Sequence, residues 1–243
     1  MIAANEIYNM DCMEGMKKIE DHSIDMILCD PPYGTTKCEW DTPLNLKDLW
    51  EEYLRIAKET AAIVIFGKQP FTSEVIMSNK EMFRYELIWE KTRAGNNMQL
   101  KKQPAKIHEN IMVFYKKQPV YNDLRFRVDE KYRDKRKSIN DSFYKSEHYS
   151  GVMKRKADDG WRHPQSVLPF NSVWHKNMHP TEKPVELFEW LIKSYTNEGQ
   201  IVLDNCIGSG TTAAACLNTN RRFIGFEKYP VFYRMAKERI KNV

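Results

Sequence analysis

Apolar runs and helical stripes alternate along the first 115 residues of the chain. Continuous apolar runs predict strands at 23–29, 61–67, 85–90 and 110–115. From Leu46 onward, apolar residues recur at the spacing of an amphipathic helix over 46–58, and a second helix is expected near 72–78. Because strands and helices alternate, the pattern predicts an α/β fold with a mostly parallel sheet covered by helices on both faces.

Between 116 and 176 this periodicity is lost, and Asn, Ser, Gly and charged residues become frequent. The regular pattern then returns, with a helix predicted over 184–195, strands at 201–204 and 223–226, a turn at 208–210 and a helix over 211–217. We therefore expect one domain built from residues 1–115 and 177–243, interrupted by a loop-rich insertion at 116–176.

Length and composition narrow the class of protein. The chain has 243 residues, of which 42% are hydrophobic and 29% charged, values that exclude a disordered, collagenous or disulfide-stapled chain. The longest strongly apolar run, 61–67, is too short to span a bilayer, and residues 1–15 contain no Lys or Arg, so we expect neither a membrane segment nor a secretion signal. The five cysteines show no C-x-x-C spacing, and we expect no metal site.

The positive charge of the chain is concentrated in its middle. Residues 116–163 hold 14 Lys and Arg against 8 Asp and Glu, whereas the rest of the chain is close to neutral. Aromatic residues are interleaved with these cations. Cations neutralise phosphates and aromatic rings stack on bases, so this composition favours contact with nucleic acid.

A glycine turn lies between a predicted strand and a predicted helix. Gly208 and Gly210 would let the backbone approach a ligand, and Glu227 follows 19 residues after Gly208, where a carboxylate can bind ribose hydroxyls. A Gly-Ser-Gly sequence is also an ordinary tight turn. Thr211 stands where a Walker loop has its lysine, which excludes that motif and leaves a nucleoside ligand or a plain turn.

An acid followed by two prolines ends the strand at 23–29. Asp30 lies where open α/β sheets place ligands, Pro31 and Pro32 offer carbonyl groups without N–H groups, and Tyr33 adds an aromatic face. A site rich in acceptors suits a group that brings only donors, such as the exocyclic amino group of a nucleobase, and the ring can stack on a flipped base. The alternative is a rigid loop capped by a surface acid.

Three motifs in this order resemble the β-class DNA amino-methyltransferases. They are Asp-Pro-Pro-Tyr-Gly at 30–34, His-Pro-Thr-Glu-Lys-Pro at 179–184 and Asp-Asn-Cys-Ile-Gly-Ser-Gly-Thr-Thr at 204–212. The resemblance implies methylation of adenine N6 or cytosine N4 with S-adenosylmethionine. It also implies a Rossmann-like, mostly parallel seven-stranded sheet with one antiparallel strand, in which the catalytic part (1–115) precedes the target-recognition insertion (116–176) and the cofactor-binding part (177–243).

The resemblance assigns roles to individual residues. Asp30 and the Pro31 carbonyl would accept hydrogen bonds from the target amino group, and Tyr33 would stack on the flipped base, with Pro32 completing the catalytic motif. The cofactor-binding residues would be Asp11, Cys12, Thr181, Lys183, Asp204, Gly208, Ser209, Gly210, Thr211 and Glu227. The family commonly has Pro-Phe where this chain has Asn205-Cys206. We also expect Trp89 and Lys91 to border the mouth of the active site.

Partners and alternatives follow from the same resemblance. Asp at the first motif position is typical of adenine enzymes and Ser of cytosine enzymes, so we predict a DNA adenine-N6 methyltransferase of a bacterial or phage-infected cytoplasm. The densest basic runs should contact the DNA backbone: Lys135, Arg136, Lys137, Lys154, Arg155 and Lys156. The resemblance allows a homodimer and a cognate restriction endonuclease. The alternatives are a cytosine-N4 enzyme, a non-catalytic nucleotide-binding DNA regulator and, less favoured by the short glycine turn, a nicotinamide dehydrogenase.

Overall fold

The computed structural model describes residues 2–36, 38–133, 158–173 and 182–243. Contacts divide the chain into two units. The first comprises Met1–Asn122 with Ser166–Val243, and the second comprises Asp123–Gln165.

The first unit is built on an eight-stranded sheet in the order β1-β10-β9-β2-β3-β5-β4-β8. Neighbouring strands are parallel except at β5, which runs antiparallel to both β3 and β4. The strands are β1 (Glu6–Asn9), β2 (Ile24–Cys29), β3 (Ala57–Gly67), β4 (Phe83–Glu90), β5 (His108–Phe114), β8 (Val167–Pro169), β9 (Ile201–Asp204) and β10 (Arg222–Glu227).

The predicted α/β fold with one antiparallel strand is confirmed, whereas the expected number of seven strands is wrong. The additional strand is β8, which has three residues and pairs in parallel with β4 at the edge of the sheet. It lies inside the segment 116–176, where the loss of periodicity hid it. A strand this short carries too few alternating positions to be recognised from a pattern.

In the part of the chain that the structure describes, six helices cover the two faces of the sheet: α1 (Cys12–Met16), α2 (Leu46–Ile56), α3 (Phe71–Ser78), α4 (Val185–Tyr195), α5 (Thr211–Asn218) and α6 (Pro230–Lys241). Helices α1 to α3 pack into one apolar core and α4 to α6 into another. In β3, Ala62, Val64 and Phe66 face the second core, while Ile63 and Ile65 face the first. Within the described ranges, none of the helices is long and apolar enough to cross a membrane.

The order of the strands creates a crevice between β2 and β9. From β2 the chain passes through α2 to its neighbour β3, whereas from β9 it passes through α5, on the other face, to β10. The two connections therefore diverge at the paired strands β2 and β9. Such a topological switch point is where open α/β sheets bind ligands, beyond the carboxyl ends of the strands.

The second unit contains a two-stranded antiparallel ladder of β6 (Phe126–Arg127) and β7 (Trp161–Arg162). A turn of 3-10 helix spans Glu130–Tyr132, and the guanidinium of Arg162 pairs with Asp158 at 2.6 Å.

Candidate functional site

A cleft of about 330 Å³ opens at the switch point. This volume lies within the range of small-molecule sites. Its lining combines the acid-proline turn after β2 with the glycine turn after β9, two segments that are far apart in sequence. The predicted residues that line it are Asp11, Cys12, Asp30, Pro31, Pro32, Tyr33, Lys183, Asp204, Gly208, Ser209, Thr211 and Glu227.

A buried carboxylate fixes the backbone that follows Asp30. Asp41, 6% exposed, accepts hydrogen bonds from the backbone N–H groups of Tyr33 (2.8 Å), Gly34 (2.9 Å) and Thr36 (2.6 Å). Burial alone would raise the pKa of Asp41, but these hydrogen bonds and the Thr36 side chain hold it below its ordinary value. The turn is therefore held in place by Asp41, an acid outside the Asp-Pro-Pro-Tyr-Gly motif.

Both carboxylate oxygens of Asp30 have partners. The hydroxyl of Tyr33 donates to Oδ1, and the ammonium of Lys183 donates to Oδ2. The Asp30 side chain remains 23% exposed toward the cleft. The ring of Tyr33 packs on Phe71, with 5.2 Å between ring centroids, and the ammonium of Lys68 lies 5.7 Å from its centroid. Since each carboxylate oxygen has two lone pairs, Asp30 can still accept a bond from a ligand.

Behind Asp30 lies a buried cluster of charges centred on Glu109. This carboxylate, 3% exposed, pairs with Lys91 at 2.5 Å, Lys68 at 3.1 Å and Lys183 at 3.4 Å. Burial alone would raise the pKa of Glu109, but the three ammonium groups lower it to about 2. Burial would likewise lower the pKa of Lys183, yet Asp30 and Glu109 raise it above its ordinary value. Lys183 thus links the catalytic candidate to a buried counter-charge.

The glycine turn brings backbone to the cleft at the start of α5. Gly208 and Gly210 both have positive φ (53° and 84°), a region that favours glycine. A Cβ atom on Gly210 would lie 3.0 Å from Ala236 of α6, so this position also requires the absence of a side chain. Gly210 shapes the turn without lining the cleft, whereas Ser209 and Thr211 line it directly.

Two acids secure this turn. Glu227, at the end of β10, accepts hydrogen bonds from the N–H groups of Gly208 (3.0 Å) and Tyr229 (2.8 Å), and burial raises its pKa despite them. Asp204 accepts from the N–H of Cys206 at 3.0 Å and from the Thr212 hydroxyl. Burial raises the pKa of Asp204 to about 7. Glu227 also lines the cleft, so its remaining lone pairs can accept hydrogen bonds from a ligand.

The segments around Asp11 and Asn205 complete the floor of the cleft. Asp11 is the N-cap of α1, where its side chain accepts from the N–H of Met13 at 2.9 Å. At the position where the family commonly has proline, Asn205 is buried and accepts from the Tyr53 hydroxyl at 2.5 Å. Cys12 and Cys206 line the cleft beside them. The hydrogen bond to Tyr53 thus compensates for the polar replacement.

The cleft also offers an unpaired acceptor. Glu182 pairs through Oε1 with Arg239, while its Oε2 is buried and has no hydrogen-bond partner among the residues that the structure describes. A buried acceptor without a partner costs free energy unless a ligand donates to it. An amino acid ammonium group is such a donor. The cleft residues therefore fit a ligand that joins a nucleoside to an amino acid, as S-adenosylmethionine does.

Some of the predicted site residues fall outside the described ranges. They are Thr181 and the six basic residues Lys135, Arg136, Lys137, Lys154, Arg155 and Lys156. Conversely, sequence reasoning missed Asp41, Lys68 and Glu109. The available signal for Glu109 was an acid placed at the start of the apolar strand β5, where a buried charge needs partners.

Comparison with known proteins finds similarity to DNA methyltransferases. Type II methyltransferase M.HpaI of Haemophilus parainfluenzae is 30% identical over 248 residues, covering 96% of this chain and 73% of that protein. DNA adenine methyltransferase YhdJ of Escherichia coli (strain K12) is 26% identical over 250 residues, covering 98% of this chain and 83% of that protein.

Solved structures show the same fold. The M1.HpyAVI complex with SAM superposes with a TM-score of 0.64 at 24% identity, covering 97% of this chain and 98% of that chain. The cytosine-N4-specific PvuII DNA methyltransferase superposes with a TM-score of 0.68 at 15% identity, covering 98% and 87%. At these identities the likeness concerns the fold alone.

The family profile described as DNA methylase, which unites N6 and N4 enzymes, matches residues 24–238 and so includes the acid-proline turn, the charged cluster and the glycine turn. With this match and the similarity to M.HpaI, the chain belongs to the DNA methylase family of N6 and N4 amino-methyltransferases.

Proposed function

We propose that this protein transfers a methyl group from S-adenosylmethionine to the N6 amino group of adenine in DNA. One observation carries the proposal. The acceptor-rich turn Asp30-Pro31 and the glycine turn with Glu227 line the same cleft. A donor-only amino group and a nucleoside methyl donor could therefore meet in this cleft.

The acceptors of the first turn address the difficulty of the reaction. The amino nitrogen of adenine is a poor nucleophile because its lone pair is delocalised into the ring. In this proposal Asp30 and the Pro31 carbonyl each accept one N–H, which favours the tetrahedral nitrogen of the transition state and stabilises the positive charge that develops on it. As the methyl group is transferred, the nitrogen releases one of these two protons, by way of Asp30, to solvent. The contribution of the protein is orientation and electrostatics, and the target base must be flipped to reach the cleft.

The second turn supplies the place for the donor. S-adenosylmethionine, when bound, supplies an electrophilic methyl group on sulfur. Glu227 would accept bonds from the ribose hydroxyls, while Glu182 Oε2 would accept from the amino acid ammonium. Asp204, Gly208 and the residues through Thr211 would hold the adenosine side of the cleft, with Asp11 and Cys12 next to the adenine. Thr181 and Lys183 would lie near the carboxylate of the cofactor.

Lys183 and Tyr33 fix the rotamer of Asp30. Each donates to a different carboxylate oxygen, so the plane of the carboxyl group is set before the substrate arrives. Such preorganisation reduces the reorganisation that the reaction itself would need. In this scheme Tyr33 also presents its ring to the flipped base.

Adenine is favoured over cytosine by the first residue of the motif. Asp30 stands where adenine enzymes of the family typically have Asp and cytosine enzymes Ser, and YhdJ, which is named as an adenine enzyme, is similar over 98% of the chain. The fold does not separate the two activities, since the cytosine-N4-specific PvuII enzyme shares it. Cytosine N4 is therefore the alternative outcome of the test below.

We further propose that the chain is divided into a catalytic part (1–115), a target-recognition part (116–176) and a cofactor-binding part (177–243). The protein would act on DNA in a bacterial or phage-infected cytoplasm. The basic composition of 116–163 supports the second assignment, with the runs 135–137 and 154–156 on the DNA backbone. Homodimerisation and a cognate restriction endonuclease are consistent with restriction-modification relatives such as M.HpaI.

The test uses radiolabelled methyl transfer to unmethylated DNA of mixed sequence, followed by digestion to nucleosides. We expect N6-methyladenine from the wild type. Asp30→Ala and Asp30→Asn should lower turnover by at least 100-fold, because one of two acceptors is lost or weakened, and should leave the Kd for S-adenosylmethionine within about threefold. Asp48→Ala, on the exposed start of α2, is the matched control.

Either of two results would overturn the proposal. Undiminished turnover in both Asp30 variants would remove Asp30 from the reaction. Labelled N4-methylcytosine in place of N6-methyladenine would transfer the assignment to the cytosine enzymes.

A further inference from the structure

The loop 91–107, which joins β4 to β5, starts next to the charged cluster of the site. Lys91 follows the carboxyl end of β4. Because β5 runs antiparallel to β4, the first residues of β5 lie at the same end of the strands as Asp30. Lys91 pairs with Glu109, and Glu109 pairs with Lys183, which holds Asp30. Whatever binds this loop therefore lies at the mouth of the proposed active site.

The loop carries an unbalanced positive charge. Beyond Lys91 it contains Arg93, Lys101, Lys102 and Lys106 and no Asp or Glu. No carboxylate within the described ranges forms an ion pair with Lys101, Lys102 or Lys106. Elsewhere in this unit, Lys116 and Lys117 pair with Glu59 at 2.5 and 2.7 Å. Within the described ranges, Lys101, Lys102 and Lys106 are thus available to an anionic partner.

An apolar side chain stands at the tip of the loop. Met98 is fully exposed, at 101% of its reference area, and Leu100 is 49% exposed. Proteins that kink DNA combine cations with exposed apolar side chains, Met among them, that insert between base steps. A DNA duplex has that character, because its phosphates lie outside a stack of apolar base faces.

Internal hydrogen bonds give the loop a defined shape. Near its base, the N–H of Lys91 donates to the Ile107 carbonyl at 2.7 Å, and the N–H of Gly95 donates to the Lys106 carbonyl at 2.9 Å. Asn96 links the two sides further, since its side chain donates to the Pro104 carbonyl at 2.9 Å and accepts from the N–H of Lys106 at 2.7 Å. A preorganised element loses less conformational entropy on binding than a flexible one.

Resting on the proposed function, we propose that the 91–107 loop is a DNA-binding element, separate from the basic segment 116–163. Lys101, Lys102 and Lys106 contact phosphates beside the target, and Met98 inserts between bases as an apolar wedge that supports the flipped state. Phosphate contacts position the duplex and carry no sequence information. Apolar wedges partly unstack a base step and so lower the cost of taking a base out of the helix.

The phosphate contacts are tested by fluorescence anisotropy on a labelled duplex of mixed sequence at several salt concentrations. Lys101→Gln/Lys102→Gln/Lys106→Gln should reduce the slope of log K against log salt by about 2 to 3, since each lost phosphate contact removes roughly 0.9. Lys18→Gln/Lys80→Gln is the control, because these exposed lysines precede β2 and β4, at the ends of the strands away from Asp30, and it should change the slope by less than about 1. An equal slope in the loop variant and the wild type would overturn the phosphate contacts.

The wedge is tested by comparing methyl transfer to native and heat-denatured DNA. Met98→Ala should lower the ratio of duplex to single-strand turnover by about tenfold, because an unpaired base needs no wedge. Met77→Ala, on α3 with 68% exposure, should leave the ratio unchanged. An unchanged ratio in Met98→Ala overturns the wedge.

The two proposals fail in different ways. If the wild type transfers no methyl group to either form of DNA, the proposed function is wrong, and the salt-dependence experiment still decides whether the loop binds DNA. If the wild type is active and all loop variants equal it, the proposed function stands and the loop assignment is wrong. Full affinity for S-adenosylmethionine in the variants shows that they are folded.

Discussion

Replacing Glu109 by glutamine removes the negative charge at the centre of the buried cluster while keeping the shape of the side chain. Three lysines surround this carboxylate and lower its pKa from 4.5 to about 2. Each pKa unit corresponds to 1.36 kcal/mol, so the charged form of Glu109 contributes about 3 kcal/mol to folding at neutral pH. Glu109→Gln should therefore destabilise the protein by about 3 kcal/mol at pH 7, a magnitude typical of breaking a buried ion pair.

The pH dependence distinguishes charge from packing. Because the folded pKa is below the unfolded value, the contribution is complete above about pH 5 and is lost as the pH falls toward 2. The difference between wild type and Glu109→Gln should accordingly shrink to about 1 kcal/mol at pH 3, because Glu109 is then protonated in the unfolded chain and must lose that proton to form the folded cluster. Urea unfolding at pH 7, 5, 4 and 3 measures this convergence.

Glu59 provides the matched control. Lys116 and Lys117 lower its pKa to about 2 as well, but its side chain is 43% exposed and the solvent screens both pairs. Glu59→Gln should change the stability little at any pH. A destabilisation by Glu109→Gln that stays constant down to pH 3, or one no larger than that of Glu59→Gln, would refute the view that buried charge pairing stabilises this site.

Two further predictions concern the turns on either side of the cleft. Asp41→Ala removes the acceptor of three backbone N–H groups, so we expect a loss of about 2 kcal/mol in the free energy of unfolding. We also expect kcat to fall more than the affinity for S-adenosylmethionine. Denaturant and cofactor titrations should show partial recovery of both in Asp41→Asn, which keeps one acceptor oxygen. The pKa of Asp204 is raised to about 7, so the stability that its protonated form contributes should decline as the pH rises from about 4 to 7. Thermal unfolding across that range should show no such decline in Asp204→Asn. The same decline in Asp204→Asn as in the wild type would show that Asp204 is not its cause.

The strands that place the site were predictable because they are buried on both faces. The six residues of β2 are all buried, and the second half of β3 is a continuous buried run, so both produce apolar runs that the sequence displays directly. In β1 and α6 the pattern is weak. Of the twelve residues of α6, Ala236 alone is buried. The four residues of β1 alternate irregularly between buried and exposed positions. Short or mostly exposed elements are fixed by neighbouring segments more than by their own periodicity.

The candidate site divides in the same way. Asp30 and the glycine turn have local sequence signatures, because prolines and glycines mark the backbone conformations that they require. The cluster around Glu109 has none. Lys183 is 153 residues from Asp30, and Lys91 is 18 residues from Glu109, so only the fold brings these charges together. In a sequence, a lysine that will be buried cannot be told from one that will be solvated.

The composition of this cluster has a consequence for the ligands of the cleft. Two carboxylates, Asp30 and Glu109, are set among Lys68, Lys91 and Lys183, which leaves one positive charge in excess. Lys68 is the most exposed of the three lysines, at 30%, and it lines the cleft. Lys91 and Lys183 are held by ion pairs with Glu109 and Asp30, so in the proposed function Lys68 would turn to the cofactor carboxylate beside Lys183 without leaving Asp30 unsupported. In the proposed function, the buried pairs would keep Asp30 in place while the excess charge of Lys68 serves the ligand.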